Sequence, residues 1–266
     1  KSGVEFVYEK AFRDLGSGLN IISELMSSAL LVRKFIITLI FLSICKAALS
    51  ESENISDHTI ISSGTETNQQ KFIENNISLT IKDGATLSVS TKPAHINTKS
   101  GATVTVESGG KITGDSNGIS GTSTSNLTVN NSGTIEVTGA KAIGLKGASG
   151  SNITNNAGGI IKSGGQTIAV TEGAADTTEN IKITNSGTIY TTDSGSNAIK
   201  FENDADNNTL TNNSGGIIYN TSSIAVIQLG GSSTITNSGT IENKESPSNN
   251  AIHVKGSNST ITLKGD

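Results

Sequence analysis

Beyond Ser50 the polar and apolar residues alternate with a period of two. Runs such as Thr209-Leu210-Thr211, Thr234-Ile235-Thr236 and Ile181-Lys182-Ile183-Thr184 set single aliphatic residues between polar ones. That spacing belongs to half-buried strands, and no window beyond Ser50 carries the 3.6-residue spacing of a helix. The strands recur in units. A phrase Asn-x-Gly-x-Ile begins at Asn131, Asn156, Asn185, Asn213 and Asn237, in steps of 25, 29, 28 and 24 residues. A threonine-rich strand precedes each copy. About ten residues later comes a second apolar strand: Ala142-Ile143-Gly144-Leu145, Ile168-Ala169-Val170, Ala198-Ile199-Lys200-Phe201, Ile224-Ala225-Val226-Ile227 and Ala251-Ile252-His253-Val254. A fixed period in this range means one supersecondary unit stacked on copies of itself, so the expectation is an all-β solenoid. The 188 residues from Leu79 to Asp266 hold about seven coils.

The register predicted from the phrase places Ile135, Ile161, Ile189, Ile218 and Ile241 in one inward column, with Tyr190 and Tyr219 one residue later on the outside. The five asparagines, Asn131, Asn156, Asn185, Asn213 and Asn237, are expected at equivalent corners. There Asn tolerates a left-handed backbone and its amides can bond from rung to rung. They are read as a structural ladder, with no catalytic, metal-binding or cofactor-binding role.

A different pattern precedes the repeats. Arg33 and Lys34 lead into the apolar run from Phe35 to Ile44, and small residues follow at Ala47, Ala48 and Ser50. Basic flank, short apolar centre and small-residue exit are the parts of an export signal. The run is shorter than a bilayer-spanning helix requires. The expected organisation is an upstream or extended leader at 1–25 and a helical signal peptide at 26–50, opening on Met26, the only methionine. An amino-terminal cap follows at 51–78, with Phe72 placed to cover the first strand edge, and the repeats occupy 79–266. Cleavage is expected after Ser50, with Ala47 as the second site. The signal implies Sec-type export.

Composition supports this division. Aromatic residues make up 3% of the chain and tryptophan is absent, too little for an ordinary globular core but enough for a thin aliphatic column. Beyond Ser50 there are thirteen lysines, no arginine and nineteen acidic residues, a balance of 13 − 19 = −6 that argues against a nucleic-acid partner. The only cysteine, Cys45, lies in the signal segment, so the repeats are built without disulfides.

The strings Thr236-Asn237-Ser238-Gly239-Thr240-Ile241, Ala251-Ile252-His253-Val254 and Ser259-Thr260-Ile261-Thr262-Leu263 resemble the passenger domains of bacterial autotransporters, the type V secretion proteins. The resemblance covers about residues 79–266. It implies a right-handed parallel β-helix displayed at the outer-membrane cell surface as an adhesin. It also implies a carboxy-terminal β-barrel translocator, which has no counterpart in this sequence, so that the chain would be an amino-terminal fragment. A host or surface receptor is left unnamed. The Asn-Pro-Asn-Gly string of two-partner secretion proteins is not found.

Candidate chemistry is sparse. Gly114-Asp115-Ser116-Asn117-Gly118 and Asp193-Ser194-Gly195-Ser196 resemble nucleophile loops of serine proteases. Such a serine needs a histidine base and a buried acid. The three histidines, His58, His95 and His253, have no such setting, and turn residues explain both strings. Glu202, Asp204 and Asp206, with Asn203, Asn207 and Asn208, offer oxygens to calcium. The cluster lacks the glycine and final glutamate of an EF-hand loop and is read as a solvated loop. An extracellular polysaccharide-acting, lyase-like enzyme is the alternative function. The absence of arginine beyond Ser50 and the out-of-phase acids weigh against it. Threonine pairs at Thr209/Thr211, Thr234/Thr236 and Thr260/Thr262 resemble ice-binding faces, interrupted at Asn152 and Lys182.

Overall fold

The computed structural model describes residues 52–67, 70–89, 94–171, 178–245 and 248–264. The leader and signal segment at 1–50 lie outside the described residues. All regular elements among the described residues are strands, three to six residues long. They form three parallel sheets, visited in turn. The first sheet has nine strands, from Ser52–Ile55 to Ile252–Val254. The second has nine, from Thr59–Ile61 to Thr260–Leu263, and the third has eight, from Gly64–Thr67 to Thr240–Asn243. Each strand pairs only with its counterparts one coil below and one coil above. This is a parallel β-solenoid of the right-handed type.

Counted from Leu79, the described strands complete the seven expected turns. The stretch 51–78, expected as a cap, supplies strands of the same three sheets: Ser52–Ile55, Thr59–Ile61, Gly64–Thr67 and Gln70–Ile73. Phe72 does not cover an edge. It stands on the outer face of the first sheet, between Asn54 and Asn97 in register, because alternation turns its neighbours Lys71 and Ile73 inward.

The core is a set of vertical columns. In the third sheet Leu87, Ile112, Ile135, Ile161, Ile189 and Ile218 follow one another in register, each fully buried, and Ile241 packs against them from above. In the second sheet the column is Leu79, Val104, Val129, Ile153, Ile183, Leu210 and Ile235. The first sheet contributes Ile96, Ile119, Ile143, Ile168, Ile199 and Ile227. Burying one such side chain is worth about 1.5–3 kcal/mol. Repetition along three columns therefore gives a thin rod the apolar burial that a globule obtains from large side chains. The expected isoleucine column is the one observed.

Candidate functional site

The corner between the second and third sheets is where the recurring asparagines sit. Its inward column reads Ile61, Ile81, Val106, Asn131, Asn155, Asn185, Asn212, Asn237 and Leu263. The five amides form a continuous chain. Asn131 Nδ2 donates to Asn155 Oδ1, Asn155 to Asn185 and Asn185 to Asn212, each at 2.8 Å, and Asn212 to Asn237 at 2.7 Å. Each Nδ2 also reaches backbone oxygens at the corner, as Asn185 does with Gly187 O (3.1 Å) and Ile217 O (3.3 Å). These carbonyls already accept a backbone N–H from the coil above, as Gly187 O does from Ile217 N at 2.8 Å, so the amide is a second donor to them, and these partners meet the condition for burying it.

Two expected members stand elsewhere. Asn156 and Asn213 lie one residue past the ladder, and each donates to a serine of the coil below, Ser132 Oγ and Ser186 Oγ, both at 2.9 Å. Asn155 and Asn212 take their places. In these two coils the corner is two residues longer than in the other three coils of the ladder. A four-residue turn closed by Gly159 N to Asn156 O (2.9 Å) takes up the extra length, with Gly158 at φ 81° in the third position, where only glycine is unstrained. Residues 213–216 repeat the turn. In these two coils the Asn-x-Gly-x-Ile phrase takes its glycine from that turn and so begins one residue past the ladder position.

The left-handed asparagines are also a different set. None of the ladder asparagines has positive φ. Asn76, Asn126, Asn180, Asn207 and Asn258 do, at 54–61°, and they precede the strands of the second sheet. The ladder asparagines end strands in extended conformation. Stacked asparagines and left-handed asparagines are thus divided between two corners.

The remaining candidates lie in turns, loops and outer strand positions. Ser196 Oγ bonds Asp193 Oδ2 at 2.5 Å, and Ser194 O accepts a hydrogen bond from Ser222 Oγ at 2.9 Å. His58 Nδ1 is occupied by Ser78 Oγ at 2.7 Å, and His253 is exposed on the first sheet beside Gln228. In the acidic cluster, Asp206 Oδ1 accepts from Ser232 N at 2.9 Å. Asn208 is buried, accepting from Ile181 N at 2.8 Å and donating to Ala205 O at 2.7 Å. Among the described residues no three His, Cys, Asp or Glu side chains are grouped to hold a metal.

Two outer surfaces are organised. On the third sheet Glu136, Lys162, Tyr190, Tyr219 and Glu242 succeed one another. Tyr190 and Tyr219 stack in parallel with centroids 4.6 Å apart, as expected outside the column. Lys162 lies 5.8 Å from the Tyr190 ring and Lys244 3.6 Å from the Tyr219 ring, so both free ring faces meet lysines instead of an open sugar-stacking platform. The hydrogen bond from Lys162 to Glu136 (2.5 Å) raises the lysine above its ordinary range, and burial raises Tyr219. On the second sheet the outer column reads Thr80, Thr105, Asn130, Thr154, Thr184, Thr211, Thr236, Thr262. The companion column two residues earlier is the one interrupted at Asn152 and Lys182.

An open depression of about 270 Å³ lies at the outer side of the first sheet. It is lined by Lys200, Glu202, Asn203, Asp204, Gln228 and Lys255. Lys200 Nζ bonds Glu202 Oε1 at 3.0 Å. Lys141 nearby is shifted below the usual lysine range, mainly by burial, with Glu202 opposing and Lys200 and Lys146 reinforcing the shift. The lining offers ammonium, carboxylate and amide groups. No protein-family model, curated protein or solved structure matches the chain.

Proposed function

We propose that the chain is the passenger portion of an exported, cell-surface protein of the autotransporter kind, acting as a scaffold and binding surface without catalysis. The observation that carries this reading is the use made of the recurring polar residues. Ladder asparagines, corner serines and turn glycines are all engaged in holding one coil to the next. The outer sheet faces and the depression at Lys200 are what such a rod offers to a partner. The cysteine-free repeats and the basic–apolar–small run at 33–50 support export in the sequence.

Two measurements test it. Expressed with its leader in a Gram-negative host, the chain is expected outside the cytoplasm with a new amino terminus at Glu51; an uncleaved, cytoplasmic product contradicts export. Incubated with a panel of glycans and peptides, it is expected to retain some without turning any over. Turnover lost on Glu202→Gln or Asp204→Asn would replace the binding reading with the polysaccharide-enzyme reading.

A further inference from the structure

The first described coil departs from the rule that fills the core elsewhere. Where later coils place aliphatic residues, its inward positions hold Glu53, Lys71 and Glu66. Ile96 follows Lys71 in register and Leu87 follows Glu66. Lys71 is 1% exposed, and among the described residues it is the only buried side chain that carries a charge. Its ammonium group stays inside. Lys71 Nζ donates to Glu53 Oε2, on the register partner in the adjacent strand, and lies 2.6 Å from Glu66 Oε2 of the third sheet. Glu66 Oε2 is itself buried. Ile55 and Ile73 stand two residues further along the same two strands, both buried.

An ion pair taken out of water recovers only part of what its desolvation costs, and a neutral product is free of that cost. The three groups also meet the needs of an amide condensation. An amine is held against a carboxyl group by the register of two strands, so no approach entropy remains to be lost. A second carboxylate stands within reach of the amine to carry its proton. The aliphatic residues around them favour uncharged forms and the departure of water.

We propose that Lys71 and Glu53 become joined by an isopeptide bond once the first coil has closed, with Glu66 as the proton carrier. One ammonium proton moves from Lys71 to Glu66, and the freed Nζ attacks Cδ of Glu53. The C–N bond forms as a Glu53 Cδ–O bond breaks. The departing oxygen takes the proton held by Glu66 and a second from Nζ, and leaves as water. Ammonium and carboxylate thus become one amide and one water, Glu66 ends as it began, and no other reactant enters. The bond spans 18 positions in sequence and gives a chain without cysteine in its repeats the covalent closure that a disulfide supplies elsewhere. The inference rests on the fold and not on the export reading.

The test is tryptic mapping of the full chain, purified folded and then denatured. Trypsin cuts after a lysine only when its amine is free, and no lysine or arginine lies between Glu53 and Lys71. The expected product runs uncut through Lys71 to Lys82, lighter than its sequence by one water, with no fragment ions from breaks between Glu53 and Lys71. Glu66→Gln is expected to lower the linked fraction about tenfold or more. Glu66→Asp, which keeps a carboxylate, should retain the link, and amide exchange at Gln70–Ile73 shows that each variant has folded. Cleavage after Lys71 in the folded parent means an ion pair only and overturns the proposal, whether or not the variants fold. Equal linkage in a folded Glu66→Gln chain overturns the role of Glu66. A loop that closes on Glu66 overturns the choice of Glu53.

Discussion

One corner of this molecule is built in two ways. In the lower rungs the position that ends each strand of the second sheet is filled by Ile61, Ile81 and Val106; in the next five it is filled by asparagine. The corner between the third and first sheets makes the same change, from Gly114 and Val137 to Ser163, Thr191, Asn220 and Asn243. All four of those polar residues are buried. The difference teaches that a solenoid corner demands filling and hydrogen-bond closure, and that either an aliphatic group or a stacked amide meets the first demand. A buried polar side chain meets both, as the Asn131–Asn237 amides do from rung to rung and the Ser163 and Thr191 hydroxyls do within their turns. At the second-to-third corner the amides are consecutive, each Nδ2 finding its acceptor in the next rung, whereas Asn220 and Asn243 at the other corner both donate to Ile224 O.

The largest effect that sharpens this contrast is in the column common to both regions. Ile189→Ala, at a fully buried rung, is expected to cost about 2–5 kcal/mol by chemical denaturation. Ile261→Ala, on the exposed last rung, should cost less than about 1 kcal/mol. Equal losses would break the continuous-core description.

Next comes the ladder. Asn185→Val removes an acceptor from Asn155 and a donor from Asn212, leaving two buried amides short of a partner, for about 2–4 kcal/mol. Changing all five ladder asparagines to valine should cost far less than five times that figure, since no amide is then left half-paired. Additive losses would show that the amides act independently.

A smaller effect is expected at the junction of the two regions. Asn131 Oδ1 is buried with no donor among the described residues, above Val106. Val106→Asn would present one, and stability should stay within about 1 kcal/mol of the parent, in either direction. A loss as large as that of Asn185→Val would mean that the lower corner excludes amides outright.

The smallest is electrostatic. Lys162 and Tyr219 both have folded-state pKa values above their ordinary ones, so the folded chain holds these protons more tightly. Their contribution is complete below pH about 10 and is lost as pH rises through the folded values. The melting temperature should therefore fall on the alkaline side, and Glu136→Gln should reduce the Lys162 part. At neutral pH this half-buried surface pair is worth at most about 1 kcal/mol.

Much of this was legible in the sequence. Period-two alternation and a recurrent unit were enough for the solenoid, the isoleucine column and the outer tyrosine pair. Register at the corner was not, because it was anchored on glycine. The ladder asparagine always stands two residues after the inward aliphatic of its strand: Val129 to Asn131, Ile153 to Asn155, Ile183 to Asn185, Leu210 to Asn212, Ile235 to Asn237. Anchoring on the strand would have found Asn155 and Asn212, since loops vary in length while alternation does not. The left-handed asparagines carried a parallel signal, each three residues before its inward aliphatic, as Asn126 is before Val129 and Asn207 before Leu210. The charged first rung was masked by distance in sequence: Glu53, Glu66 and Lys71 meet only once three sheets are closed.

Side-chain amide exchange, followed by NMR on the folded chain, tests the central claim most directly. If the recurring asparagines hold the coils together, the NH2 groups of Asn131, Asn155, Asn185 and Asn212 exchange slowly, while those of Asn126, Asn180 and Asn207 exchange near the free rate. Fast exchange at Asn155 and Asn212 with protection moved to Asn156 and Asn213 would contradict the register. Fast exchange at all of them would contradict the ladder itself.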